Sequence, residues 1–165
     1  MSGDYVIVKK DYSLLAWYSL STNEEIKELI LPGTDGVYLA ASSVRPEIYV
    51  SETEENVYVI RKIDCTLQTD EPMTRVYSSK LKIHWDNCGD GVGGLRLIET
   101  EQGRLLHVYL LGTGNRAFDA YDIATDEIVE SIRFDEFWDY ESIRYNPGTK
   151  FYCLMSGYGN EPINS

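Results

Sequence analysis

Two histidines, His84 and His107, set the limits on acid–base chemistry in this sequence, because a Ser-His-Asp or Cys-His arrangement must use one of them. His84 precedes Trp85 in a strand-like run and has the better prospect of exposure. His107 lies in the apolar run 105–110, which predicts a packed strand residue and not a base. The cysteines Cys65, Cys88 and Cys153 match no zinc spacing and form no CxxC pair. Cys88 stands in a glycine-rich loop and is the one placed to react, while Cys65 and Cys153 sit in or beside strands. Of 27 acidic residues, the densest groups are Glu52/Glu54/Glu55 and Asp135/Glu136/Asp139, both read as solvated turns. The loop from Asp86 to Gly91 has a calcium-loop flavour, but Cys88 and Leu97 break the EF-hand spacing. Its tail Gly91-Val92-Gly93-Gly94 lacks the Lys-Ser/Thr of a phosphate loop. No catalytic residue is assigned, and neither metal nor cofactor is expected.

Binding features are better represented. Trp85 and Asp86 border the glycine-rich loop, and Phe137, Trp138 and Tyr140 crowd one short link. Aromatic rings among acids make interface anchors, so these five residues are the expected partner site. The competing reading is that the rings plug the core between repeats. The net charge of -12 repels phosphate backbones, and the only basic clusters are the pairs Lys9-Lys10 and Arg61-Lys62, so general nucleic-acid binding is not expected. The acidity reads as solubility or as attraction to a basic partner or cation. No apolar run reaches the roughly 18–20 residues needed to cross a bilayer. An odd cysteine count and the absence of a basic leader point to a reducing, cytoplasmic setting. The expected partner is therefore a protein, through self-association or a hetero-complex, and not a membrane.

The elements that must position these residues are strands. Tyrosine is over-used, with 13 copies against four phenylalanines, and it suits half-buried strands with one wet end. About 13–14 short apolar runs alternate with breakers such as Pro32-Gly33, Asp35-Gly36, Gln102-Gly103 and Asn146-Pro147-Gly148. Two segments, 24–31 and 127–134, could make two helical turns each, but helices that short are marginal, and both are read as strands. Many short strands with evenly spaced turns imply an all-β fold of antiparallel sheets.

An internal repeat organises them. Trp17-Tyr18-Ser19-Leu20-Ser21-Thr22-Asn23-Glu24-Glu25-Ile26 aligns with Ala120-Tyr121-Asp122-Ile123-Ala124-Thr125-Asp126-Glu127-Ile128, with one extra residue allowed in the first. Tyr5, Tyr49, Tyr109 and Tyr152 each sit in a short apolar strand, at spacings of 44, 60 and 43 residues. Subtracting the loop 86–94 from the long interval leaves a period of about 43–45, the length of a four-stranded propeller blade. The run from Ile48 through Tyr49-Val50 and Asn56-Val57-Tyr58-Val59-Ile60 resembles the YVTN-type β-propeller repeat. So does the run from Val108 to Phe134, with Tyr109, Asn115, Tyr121-Asp122-Ile123, Thr125, Val129 and Ile132. Asn146-Pro147-Gly148-Thr149-Lys150 is similar to the hairpin of WD-repeat and YVTN blades. Trp85-Asp86 and Trp138-Asp139 spell the Trp-Asp dipeptide, with no Gly-His pair to accompany them.

The resemblance implies a single domain, 1–165, of blade-like units at about 4–31, 36–85, 94–134 and 138–160, with a β-sandwich as the alternative. With strands lettered A to D outwards, the chain starts at a B strand and stops after a B strand, or about three and a half blades. Completion by another chain is the favoured expectation. A fragment of a longer protein, or a small ring closed by the chain's own ends, are the others. The implied function is a non-catalytic interaction module. The alternatives are a propeller-type enzyme or ligand-binding subunit acting on a sugar or small acid, and an acidic inhibitor of a basic partner.

Overall fold

The computed structural model describes residues 5–11, 13–33, 38–55, 57–66, 73–82, 91–101, 103–111, 116–134, 140–146 and 151–156. All regular structure among them is strand: β1 (Tyr5–Lys9), β2 (Leu14–Ser19), β3 (Glu25–Ile30), β4 (Leu39–Ala41), β5 (Glu47–Glu54), β6 (Val57–Asp64), β7 (Met73–Lys82), β8 (Gly91–Thr100), β9 (Gly103–Leu111), β10 (Arg116–Asp122), β11 (Glu127–Phe134), β12 (Tyr140–Asn146) and β13 (Phe151–Ser156). They form four antiparallel sheets that follow the chain in order: β1-β2-β3, β4-β5-β6-β7, β8-β9-β10-β11 and β12-β13. Among the described residues, β1–β3 and β12–β13 are separate sheets.

Both short segments that could have been helical are strands, β3 and β11. Pairing along β2 and β10 supplies hydrogen bonds and cover that two isolated helical turns lack. The hairpins that lead into them are the same device. Asn23 and Asp126 adopt left-handed φ values of 59° and 61°, a conformation that Asn and Asp tolerate. Their amides donate to the carbonyls of Ser19 and Asp122, at 2.9 and 3.0 Å. The Ser19 hydroxyl accepts from the Thr22 amide, and the Asp122 carboxylate accepts from the Ala124 amide. Each hairpin then carries a bulge at the same place, between Trp17 and Tyr18 and between Ala120 and Tyr121. Tyr18 faces Glu25 and Tyr121 faces Ile128, so the two hairpins correspond residue for residue and the extra residue allowed from sequence is not needed. The bulge residues Ile26 and Val129 are both exposed.

The tyrosine period is looser than its spacings imply. Tyr5, Tyr49 and Tyr109 lie on corresponding strands, but they face Ser19, Lys62 and Phe118, which stand at different distances from the following turn. What is kept is the face. Tyr5 packs with the cluster against the second sheet, Tyr49 packs towards the third, and Tyr109 points away from the second. Side chains alternate across a strand, so a slip of two residues preserves the face and loses only the position.

The cores lie between sheets. Leu15, Trp17, Leu31, Ile48, Val50 and Ile63 fill the space between the first and second. Tyr49, Tyr58, Ile60, Tyr77, Leu106 and Val108 fill that between the second and third. β5 is consequently buried on both faces, with Ile48 and Val50 to one side and Tyr49 to the other. Contacts of β8 with β4 and β5 on one side and with β12 on the other continue the stack along its inner strands. Leu106→Ala, which empties a fully buried position, is expected to cost about 2–5 kcal/mol, and Val129→Ala at the exposed bulge less than about 0.5 kcal/mol. Urea unfolding of the two variants checks this, and equal midpoints would contradict the placement of the core.

Candidate functional site

The expected partner residues are not brought into view. Trp85 and Asp86 fall between β7 and β8, and Phe137 and Trp138 between β11 and β12, all outside the described residues. Tyr140 opens β12, and its side chain is outside them too. His84, Cys88 and the group Asp135/Glu136/Asp139 also lie outside.

The described groups that could do chemistry are held in packing or in bonds between strands. His107 is 2% exposed, and its ring meets the edge of Phe118 at 5.2 Å. Burial, with the Arg96 charge adding to it, pushes its pKa down to about 4, so it is neutral at neutral pH. Burial, together with Asp64, lifts the Cys65 thiol to about 11, which makes it a poor nucleophile. No group of three or more His, Cys, Asp or Glu side chains among the described residues could hold a metal ion.

The Glu52/Glu54/Glu55 group departs from expectation. Glu55 is an exposed turn residue, but β5 runs on through Glu54 and takes Glu52 into the space between sheets. The Glu52 side chain has no exposure, and Oε2 accepts from Arg61 Nε and from the Gly33 amide, both at 2.9 Å. Glycine is required at 33, since a Cβ there would lie 2.8 Å from Glu52 Cβ and 3.0 Å from the Thr53 carbonyl. Arg61 also reaches Glu54 at 2.9 Å.

A second network ties the second sheet to the third. Glu99 in β8 accepts from Ser42 Oγ at 2.7 Å, from the Ser43 amide at 2.7 Å and from Arg104 Nε at 2.9 Å. Arg104 also pairs with Glu47 and lies over the Tyr49 ring, 5.9 Å from its centroid. Desolvation works against the Glu99 charge, but the bonds from Ser42, Ser43 and Arg104 outweigh it and hold the pKa at about 2.

The third feature is a groove of about 580 Å³ between the outer strand β7 and the β10–β11 hairpin, lined by Val76, Tyr77, Ser78, Tyr121, Asp126 and Ile128 among others. Tyr77 and Tyr121 meet edge to face at 5.7 Å. Tyr77 donates to the buried Asp119 at 2.7 Å, and Tyr121 donates to Asp126. Ser131 Oγ donates to the other Asp119 oxygen at 2.5 Å. These tyrosine hydroxyls already serve as donors, so the groove offers shape and the carboxylates of Asp126 and Glu127.

Four sheets in chain order, with cores only between them, are what the comparison with solved structures matches. The hydrazine synthase of Kuenenia stuttgartiensis aligns over 98% of this chain with a TM-score of 0.61 at 22% identity. The dihydro-heme d1 dehydrogenase NirN in complex with DHE aligns over 94% with a TM-score of 0.53 at 14% identity. Both proteins contain β-propellers. The fold is propeller-like. The chain spans 43% of the first structure's length and 31% of the second's. No family profile and no curated protein matches the sequence. Among the described residues, no helix is long and apolar enough to cross a membrane.

The polar networks were missed from sequence because Ser42, Glu47, Glu99 and Arg104 are distant in the chain. The one local signal was Arg104 opposite Glu99 in a hairpin. Two outcomes test their structural role. Arg61→Ala strands Glu52 as a buried charge and is expected to cost about 3–5 kcal/mol, whereas Glu52→Leu with Arg61→Met is expected to be near neutral. Chemical denaturation of both variants distinguishes them. For Glu99, the folded pKa lies below the ordinary 4.5, so its contribution is complete above that pH and is lost as pH falls towards 2. Glu99→Gln should flatten the stability–pH curve in that window, and an unchanged slope would remove Glu99 as the cause.

Proposed function

We propose that this chain works by binding, as a non-catalytic interaction module on a propeller-like scaffold whose partner is a protein. The observation that carries the reading is the state of the described ionisable groups. His107 is neutral and buried, the Cys65 thiol is suppressed, and Glu52, Glu99 and Asp119 are used in bonds between strands and sheets. A rigid stack of this kind leaves recognition to the links between sheets, the usual place for function on a stable scaffold. Trp85 and Asp86 belong to one such link, and Phe137 and Trp138 to the next, which ends at Tyr140. Large aromatic side chains there are the expected anchors.

The enzyme reading draws on the names of the two similar structures, a synthase and a dehydrogenase. At 22% and 14% identity that likeness carries the fold alone. In this chain it would require His84 to meet convergent carboxylates, since His107 is not available as a base. An acidic inhibitor of a basic partner would instead show a complex that weakens steeply with salt.

Replacing both Trp138 and Tyr140 by alanine is expected to abolish co-purification of a defined protein partner, identified by mass spectrometry, with the circular dichroism spectrum unchanged. Retention of the same partner at wild-type yield would remove this pair of residues from the site.

A further inference from the structure

The hairpins of the first and third sheets correspond, and one of them holds a cation that the other lacks. In the first, the Tyr18 hydroxyl donates to Glu25 Oε2 at 2.9 Å, and the same oxygen accepts from Lys10 Nζ at 3.0 Å. In the third, Tyr121 takes the place of Tyr18 and donates to Asp126. Tyr18 faces Val6 and Tyr121 faces Leu106, so four residues further along each strand the position of Lys10 falls to Leu110, which is buried and uncharged. Asp126 and Glu127 are both exposed, and among the described residues neither pairs with a cation. Arg75 of β7 is turned to Glu54 at 3.4 Å and to Ser78 Oγ at 2.9 Å. The two unpaired carboxylates line the groove of about 580 Å³ between β7 and the β10–β11 hairpin. Its floor is apolar, made by the buried rings of Tyr77 and Tyr121 and by half-buried Val76 and Ile128.

We infer that this groove receives an arginine side chain carried by a segment of a partner protein, with its guanidinium at Asp126 and Glu127. This rests on the reading of the chain as a module that binds a protein, and it adds a site separate from the aromatic links. Charge complementarity selects a cation, since the groove offers two carboxylates that the chain itself does not neutralise. The floor selects the kind of cation. An arginine lays its aliphatic stem on apolar side chains, and its planar guanidinium stacks on aromatic rings while it bonds to carboxylates. The surroundings select a segment over a free small cation. The volume is several times the roughly 150 Å³ that accepts one benzene-sized group, so flanking residues have room beside the arginine. β7 pairs with β6 and β11 with β10, and neither has a second partner strand among the described residues, so the groove lies between two outer strands. A lone cation at exposed carboxylates is screened by salt and held weakly, and contacts from a chain lying along these strands supply the remainder.

Selection of a random peptide library on the full chain tests this. The peptides recovered are expected to share an arginine, and the strongest of them, once synthesised, to shift the backbone amide signals of Val76, Tyr121 and Ile128 in a nuclear magnetic resonance titration. Citrulline in place of that arginine removes the charge at nearly constant shape and should weaken binding at least about tenfold. Asp126→Asn with Glu127→Gln should weaken it equally, with an unchanged circular dichroism spectrum. Asparagine tolerates the left-handed backbone at 126 and still accepts the Tyr121 hydroxyl. Glu24→Gln, at the corresponding exposed place in the first hairpin, removes one charge from the chain and should leave binding as it was. Recovery of no peptide, peptides without arginine, shifts that lie away from the groove, or binding indifferent to Asp126→Asn with Glu127→Gln would each overturn the inference. So would acetylarginine amide binding as tightly as the peptide, which would make the ligand a free cation. Trp138→Ala with Tyr140→Ala should bind the peptide as the wild type does, so loss of the aromatic site and loss of the groove are read apart.

Discussion

A strand buried on both faces needs a sheet on either side of its own to cover them. β5 shows the constraint most fully, because Ile48 and Val50 need the first sheet while Tyr49 needs the third. A two-layer sandwich leaves one face of every sheet to solvent and would ask β5 for an alternation of apolar and polar residues. The run Ile48-Tyr49-Val50 has no such alternation. Stacking is therefore written into the strand, and stability at one interface depends on the sheets being present at both sides.

Apolar contact alone would let such sheets slide, since burial carries no direction. The polar networks supply the direction. Glu99 takes donors from Ser42 and Ser43 of the second sheet and from Arg104 of its own, and Arg104 returns to Glu47 of the second. Tyr77 crosses from β7 to Asp119 in β10 near the other edge of the same pair of sheets. With one tie between inner strands and another near the outer edge, the second and third sheets cannot shift without leaving a carboxylate short of donors. That penalty is large in a low-dielectric setting.

How much of this was legible in the sequence depended on whether the signal was local. The strand pattern was legible, including β3 and β11, because β-branched and apolar residues sit between clear breakers. The turn at Thr22-Asn23 and its counterpart at Thr125-Asp126 were legible because Asn and Asp tolerate a left-handed backbone that few residues do. Tyrosine spacing gave the right strands and the wrong equivalence, since a period-two element records which face a residue takes but not its place along that face. Glu52 was misread because its acidic neighbours suggest a turn, whereas its partner Arg61 comes nine residues later, across a hairpin. The anticipated aromatic site at Trp85, Asp86, Phe137, Trp138 and Tyr140 stays a proposal from composition and position in the chain.

Ion networks recur beside the apolar residues on corresponding faces, and this separates two roles that burial and charge play here. Glu52, Arg61 and Glu54 are paired within their own sheet, and their side chains are 0%, 12% and 35% exposed. Lys10, Glu25 and Glu28 are likewise paired within one sheet, at 37%, 34% and 44%. Pairs already satisfied inside one sheet can be covered without stranding a charge, because the partner goes under with it. An exposed pair of that kind contributes little to the stability of the isolated sheet. Its consequence is that a face able to dissolve when bare is also able to be buried. A purely apolar face would aggregate without a neighbour, and one with unpaired charges would refuse any neighbour. The first sheet carries neither extreme.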